Sequence, residues 1–418
     1  MEYIRKLSQL KVFQHSFKEP SEFYASVLVV PNRVAGVSGL DVLSENFKKF
    51  SVNLTCTLFS MTMFLLVSAS TIYEVRHNID DLIFCFVTVG VSLQASMKIF
   101  THLYYRQDLL WIQEYTKKLY QEECINHKKV LMDFVTMLHV LMKVVVVCYA
   151  ITASSMIVGP FMLTLLSGQK LLTFGFWIPY IDRNSWFGYG CNFTLQLILS
   201  LFITCEYMGL DIIYFMTMLS SVNQIDLLII KIKNIGTQIE QTDAKLQESL
   251  MEIVKRHEEH LKFVRTVENM YRGYFFVLYA TLGFTIVLVL YAIVTLSWIA
   301  GYGSGIFITY QLFIFCLVPT VLEIKKEELQ REIYNISWYE WSRQNRKSLQ
   351  LMLQTAQQPN CLSLIFCPLD MPTFVEAMRI IYTILTLLLT FRSGGNSREN
   401  VSLQVSGGMG KFGKRKHD

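Results

Sequence analysis

Six ionisable side chains stand inside otherwise apolar runs of this sequence: Lys98, His102, His139, Lys143, Glu206 and Asp211. A charge in hydrocarbon is costly, so each of them needs a partner or a task. Opposite charges can pair internally, for instance Lys98 or Lys143 with Asp211, and a recurring ladder of carboxylates and histidines can relay protons. No such ladder is present, and internal pairing is the simpler reading. The stretch His257-Glu258-Glu259-His260 lacks the His-Glu-x-x-His spacing of a metalloprotease helix. A lone histidine such as His257 on a helix is more often a packing or hydrogen-bonding residue than a ligand or switch. No Ser/His/Asp arrangement, phosphate loop or cofactor motif occurs, so neither an enzyme nor a cofactor is expected. The nine cysteines are odd in number, lie mostly in or beside apolar runs and contain no Cys-x-x-Cys, a pattern unlike a disulfide framework or a zinc site.

The elements that must carry these residues are membrane helices. Of 418 residues, 52% are hydrophobic and 17% charged, and the mean hydropathy is +0.35, beyond the range of an ordinary soluble domain. The start lacks a long apolar core and a small-residue cleavage site, so no cleavable signal peptide is expected and the first span itself directs insertion. Spans are predicted at about 51–73, 82–104, 131–166, 192–219, 274–299, 305–322 and 372–391. Residues 21–30 suit a short helix lying at the membrane surface, and 106–129 an amphipathic helix with Leu109, Ile112, Tyr115 and Leu119 on one face. A loop rich in aromatics precedes the fourth span, and a charged helical stretch, 224–272, follows it.

Charge sets the orientation. The N-terminus and the second, fourth and sixth connections hold 7, 5, 8 and 6 Lys or Arg, whereas the first, third and fifth hold 1, 2 and 0. Positive charge stays cytoplasmic, so the N-terminus is expected inside and the C-terminus outside. A G-protein-coupled receptor has the reverse arrangement. The basic tail Lys411–Lys416 conflicts with this count, but it lies about twenty residues past the last span, where the rule weakens. The expected division is 1–50 cytoplasmic and membrane-surface, 51–223 spans one to four, 224–272 cytoplasmic extension, 273–322 spans five and six, 323–371 cytoplasmic assembly helix and loop, 372–391 last span, and 392–418 extracellular tail.

The last span, PTFVEAMRIIYTILTLLLTF, carries Tyr382, Thr383, Thr386 and Thr390 within an apolar helix, and a charged helix, residues 327–359, precedes it. A terminal anchor after a cytoplasmic loop is the plain reading, and a pore-lining helix on an intracellular assembly helix the sharper one. Tyr334-Asn335, Trp338-Tyr339, Arg346-Lys347 and the run ending Ala356-Gln357-Gln358-Pro359 resemble the penultimate helix of insect odorant receptors. Pro368-Leu369, Phe374, Tyr382-Thr383 and Thr386 resemble that family's final helix. Asp211 before its apolar helix, Phe263 and Glu268 before span five, and Trp177-Ile178-Pro179-Tyr180 in the outer loop extend the resemblance over most of the chain. Residues 382–391 lack the Gln of the related gustatory receptors, and the connection before span five, about fifty residues, lacks the long insertion of the co-receptor.

The resemblance implies an all-α integral membrane protein with seven spans, inverted topology and cytoplasmic helix extensions. It implies an odorant-gated cation channel subunit, paired with the olfactory co-receptor (Orco) in a heterotetramer in the plasma membrane of sensory neurons, with small volatile odorants as ligands and lipid around it. A gustatory-type receptor, a G-protein-coupled receptor and a secondary transporter are the alternatives. An odorant pocket should be concave and mostly apolar with few polar groups. The outer halves of spans two, three, four and six offer Phe84, Phe86, Val87, Tyr149, Met156, Phe161, Phe193, Gln196, Phe202, Phe307 and Tyr310. Each aromatic among them is individually more often packing than contact. The gate is expected at Ile384 and Leu385, with Thr386 beside them, closing by dewetting. Lipid or neighbour-helix contact is the competing reading for both. Trp338, Tyr339 and Trp341 are expected at the subunit interface. Of the sequons at Asn53, Asn192, Asn335 and Asn400, only Asn400 is expected to accept a glycan.

Overall fold

The computed structural model describes residues 17–409 apart from 183, 238–242, 297–298, 359–362 and 365–366, and of 237, 296, 299–300, 363–364, 367 and 393–409 it describes the backbone only. The side chain of Asn400, the first sixteen residues and the basic tail therefore lie outside the described residues. The helices, in chain order, are α1 (Pro20–Val37), α2 (Val52–Val75), α3 (Ile79–Tyr104), α4 (Arg106–Ser167), α5 (Trp186–Thr237), α6 (Asp243–Leu296), α7 (Ile299–Tyr334), α8 (Arg343–Ala356) and α9 (Met371–Met409). Seven of them, α2 to α7 and α9, are long and apolar enough to cross a bilayer. A hairpin of two-residue strands, Ser363–Leu364 and Cys367–Pro368, sits between α8 and α9.

Local chemistry starts and stops these helices. The Ser51 hydroxyl accepts from Leu54 N (3.2 Å) at the head of α2, and Asn78 Oδ1 from Asp80 N (3.1 Å) at the head of α3. Asp80 and Asp81 in the first turn of α3 suit the positive end of its dipole. Helix α4 stops at Gly168, whose φ of 69° is open to glycine at little steric cost.

The structure joins what the sequence divides. Helix α4 has 62 residues, about 90 Å at 1.5 Å per residue, so the amphipathic segment and the third span are one rod with a kink at His127. The charged stretch 224–272 is instead two elements, the end of α5 and the start of α6, with Lys231 of one 2.8 Å from Glu252 of the other. The charged helix expected over 327–359 breaks after Tyr334. A 3-10 turn at Trp338–Glu340 intervenes before α8, where Asn335, Ser337 and Ser342 favour turns over helix.

Helix α1 is not a short surface helix. Its 18 residues run through Pro31 and bury Phe23, Tyr24, Val27 and Ala35 against α4 and α5. Its approach to α5 is so close that a Cβ on Gly209 would lie 2.7 Å from Ala35 Cβ and 2.8 Å from Pro31 O. Tyr24 donates to Gln113 Oε1 (2.6 Å) and Gln113 to Thr217 Oγ1 (3.2 Å), tying α1, α4 and α5 together. The centre of the bundle is aromatic: the Tyr214 ring lies 5.1–5.2 Å from those of Tyr271, Phe275 and Phe315, on α5, α6 and α7.

Candidate functional site

The loop between α4 and α5 folds back onto the bundle and plugs one end of it. Phe176 and Trp177 are buried, and polar side chains hold the loop backbone. Gln196 accepts from Phe174 N (3.0 Å) and donates to Phe176 O (2.7 Å), Asn192 accepts from Ile178 N (2.7 Å), and Trp177 Nε1 donates to Glu74 (3.1 Å). Gly175 leaves room for Phe84, because a Cβ there would lie 2.6 Å from the Phe84 carbonyl carbon. Asn192 is buried and its amide donates to Gly188 O, which leaves no access for a glycan.

The eleven residues expected to line an odorant site do not form one wall. Tyr149 and Phe307 meet edge to face at 5.3 Å between α4 and α7, with Tyr310 half-buried further along α7. Phe161 and Phe193 pair at 5.5 Å nearer the loop end. Phe84 and Gln196 support the loop, and Phe202 faces a cavity between α2, α3 and α5. Phe86 turns to Phe284 of α6, 6.4 Å away, while Val87 and Met156 are half-buried.

Beneath Tyr149 lies a buried charge centre. Lys98 Nζ is 2.7 Å from Asp211 Oδ1, with both side chains removed from solvent, and Tyr149 OH donates to the other Asp211 oxygen. Lys98, rather than Lys143, is thus the partner of Asp211. The ring of Tyr207 covers Lys98 Nζ at 3.4 Å, and its hydroxyl donates to Val91 O (2.8 Å). The role of Tyr207 has no sequence signal beyond its place beside Glu206. His139 packs its ring 5.5 Å from Phe23.

At the opposite, charged end, the ends of α4 to α7 are laced together. Lys231 reaches Glu123 (2.7 Å), Arg256 reaches Glu122 and Glu259, Lys325 reaches Asp226 (2.8 Å) and Lys233 reaches Glu332 (3.3 Å). Within this lattice His257 and His260 are buried, His260 against Gln224 Oε1 (3.1 Å). Burial pushes His257 down to about 4 and His260 down to about 3, the latter also through its neighbours His257 and Lys326. Both are neutral at pH 7. The unfolded chain takes up protons near pH 6.5, so the stability these residues contribute is complete above that value and is lost as pH falls toward about 4. Hydrogen exchange in residues 250–264 should accelerate over this window, and His260→Gln, which keeps the partner for Gln224, should flatten the profile. An unchanged profile would remove His260 as its source.

Beyond the lattice, Trp338 and Tyr339 are 38% and 65% exposed, whereas Trp341 packs on the chain's own core. Trp338 borders a groove of about 590 Å³ with Tyr334, Arg343, Arg346, Lys347 and Leu353.

Among the described residues, α9 is the least covered of the seven spans. Within the chain only 11% of its apolar stretch is buried, against 56% for α5. Ala377 and Ile381 anchor it, with Tyr279 OH donating to Thr373 O (3.0 Å) and Arg392 to Tyr291 OH (3.3 Å). Ile384 is 41% exposed, and Leu385 and Thr386 are half-buried. Thr383 and Thr386 donate to Arg379 O (2.9 Å) and Thr383 O (2.8 Å), leaving their oxygen lone pairs free for water or ions.

The 7tm odorant receptor family model matches residues 78–382. Putative odorant receptor 83c of Drosophila melanogaster is 20% identical over 403 residues, covering 89% of this chain and 98% of that one. Odorant receptor 33a of the same fly is 22% identical over 253 residues, 58% of this chain and 66% of the relative. The solved olfactory receptor OR5 of the insect Machilis hrabei superposes with a TM-score of 0.72 at 16% identity, covering 88% of this chain and 99% of that one. Its complex with eugenol superposes with a TM-score of 0.71 at 14% identity, covering 88% and 98%.

Proposed function

We propose that this chain, which belongs to the 7tm odorant receptor family, is the odorant-binding subunit of a ligand-gated, non-selective cation channel. Its partner is the olfactory co-receptor (Orco) in a heterotetramer, in the dendritic plasma membrane of olfactory neurons. The observation that carries this reading is the bareness of α9: a span with 11% of its apolar stretch buried in its own chain, bearing Thr383, Thr386 and Thr390, suits a helix completed by neighbouring subunits around a wet axis. The charge count supports an N-terminus inside and a C-terminus outside, which puts Asn400 in reach of glycosylation and the ion-pair lattice in the cytoplasm. The chain is a receptor with no catalytic role.

A small apolar odorant, of the size of the eugenol bound by the Machilis receptor, would sit at Tyr149, Phe307 and Tyr310, parting the ring contact between α4 and α7, with the Phe161–Phe193 pair lying nearer the loop end. Met156 and Val87 fill the margins. Phe84, Phe86, Gln196 and Phe202 stand further out and would act through the loop and neighbouring helices. Odorant-evoked currents should require both this chain and the co-receptor, with no coupling of current to ligand flux. Odorant-evoked current in its absence, or a signal dependent on G proteins, would overturn the reading.

The exposed pair Trp338 and Tyr339 are assigned to the subunit interface, where Trp and Tyr are common anchors. Trp338→Ala should reduce co-purification with the co-receptor by about tenfold. Trp341→Ala should act mainly on stability, since it packs at home. Unaltered co-purification of Trp338→Ala would put the interface elsewhere.

A further inference from the structure

Glu206, in the middle of α5, is completely buried, and among the described residues neither of its carboxyl oxygens has a hydrogen-bond partner. An orphaned buried carboxyl calls for a partner of its own. The nearby cation is committed elsewhere: Lys98 sits 2.7 Å from Asp211 and beneath the Tyr207 ring. Lys98 and Asp211 cancel, so an ionised Glu206 leaves one uncompensated negative charge among α2, α3 and α5. Against it lies a cavity of about 10 Å³, lined also by Thr57, Ser60 and Ser92 and by the apolar Phe64, Leu199 and Phe202. That volume holds one water-sized group and no more.

Two of the three hydroxyls around it, those of Thr57 and Ser92, are set as acceptors. Thr57 donates its proton to Ser38 O (3.0 Å) and Ser92 donates to Thr88 O (3.1 Å), so each presents oxygen lone pairs rather than a proton. A carboxylate and hydroxyl-bearing side chains lining a space of one water suit a hard, singly charged cation. We propose that the Glu206 cavity binds one small monocation, sodium or ammonium in size, and that its occupancy locks α2 onto α3 and α5. Helix α2 has need of such a lock, because only 28% of its apolar stretch is buried. The site does not depend on the channel reading.

The test uses the full chain in lipid nanodiscs and follows thermal unfolding in sodium, potassium, ammonium or choline chloride at equal ionic strength. Sodium or ammonium should raise the Tm by about 2–5 °C over choline, with potassium weaker. Glu206→Gln, nearly isosteric and uncharged, should abolish that difference. A rise with ammonium alone would identify ammonium as the occupant, and a rise with sodium alone the metal ion. Should Glu206→Gln fail to fold, Ser92→Ala should keep its Tm in choline and need about tenfold more cation for the same rise. Equal Tm in all four salts, or an undiminished rise in both variants, would overturn the proposal and leave a proton or Lys98 itself as the partner of Glu206.

Discussion

Lys98→Met is expected to clear the receptor from the cell surface. The substitution leaves Asp211 charged, buried and held only by the Tyr149 hydroxyl, among helices that offer it no other cation within ion-pair distance among the described residues. Removing one partner of a buried pair costs about 3–5 kcal/mol, a large part of the roughly 5–15 kcal/mol by which proteins stay folded. Adding Asp211→Asn in the same chain removes the stranded charge and should restore most of the surface signal, because the asparagine can still accept from Tyr149. The exposed pair Arg379–Glu376, 3.0 Å apart, is the control. Its removal should pass unnoticed, since such pairs contribute about 0–1 kcal/mol. Surface labelling together with melting of purified protein reads the result. Wild-type values for Lys98→Met would mean that Asp211 is neutral or reached by water.

Leu385→Gln is expected to raise basal current severalfold and to shift ion selectivity. An apolar constriction closes because water leaves it, and an amide on that ring readmits water without moving the backbone. Leu385 and Ile384 are adjacent and so about 100° apart around α9. Ile384 is the more exposed within the chain, which makes it equally available to a neighbouring subunit, and Leu385 the half-covered one. Both substitutions therefore belong in the experiment. Co-receptor subunits would supply most of the ring, so the effect is partial rather than complete. If Leu385→Gln and Ile384→Gln both keep wild-type basal current, selectivity and odorant response at normal surface levels, α9 does not line the gate.

The sequence by itself determined that this chain is a helical membrane protein with seven spans, because span-forming hydropathy is a local sum over about twenty neighbouring residues. It also singled out the expensive residues, Lys98, Glu206 and Asp211, because a charge in an apolar run is visible without knowing its surroundings. The ordered motifs around Trp338 and Tyr382 pointed to the family that the match over residues 78–382 now shows. Only the tertiary structure decided which partner each charge takes: Lys98 rather than Lys143 for Asp211, and none for Glu206 among the described residues. It decided that Gln196 holds a loop, that α1 packs into the bundle through the gap left by Gly209, and that the charged segment before α9 breaks into a turn and a separate helix. These are outcomes of contact between residues far apart in the chain. Periodicity says which face of a helix is apolar, but the depth, neighbour and direction of a side chain follow from how the helices cross, and that geometry is a property of the whole bundle.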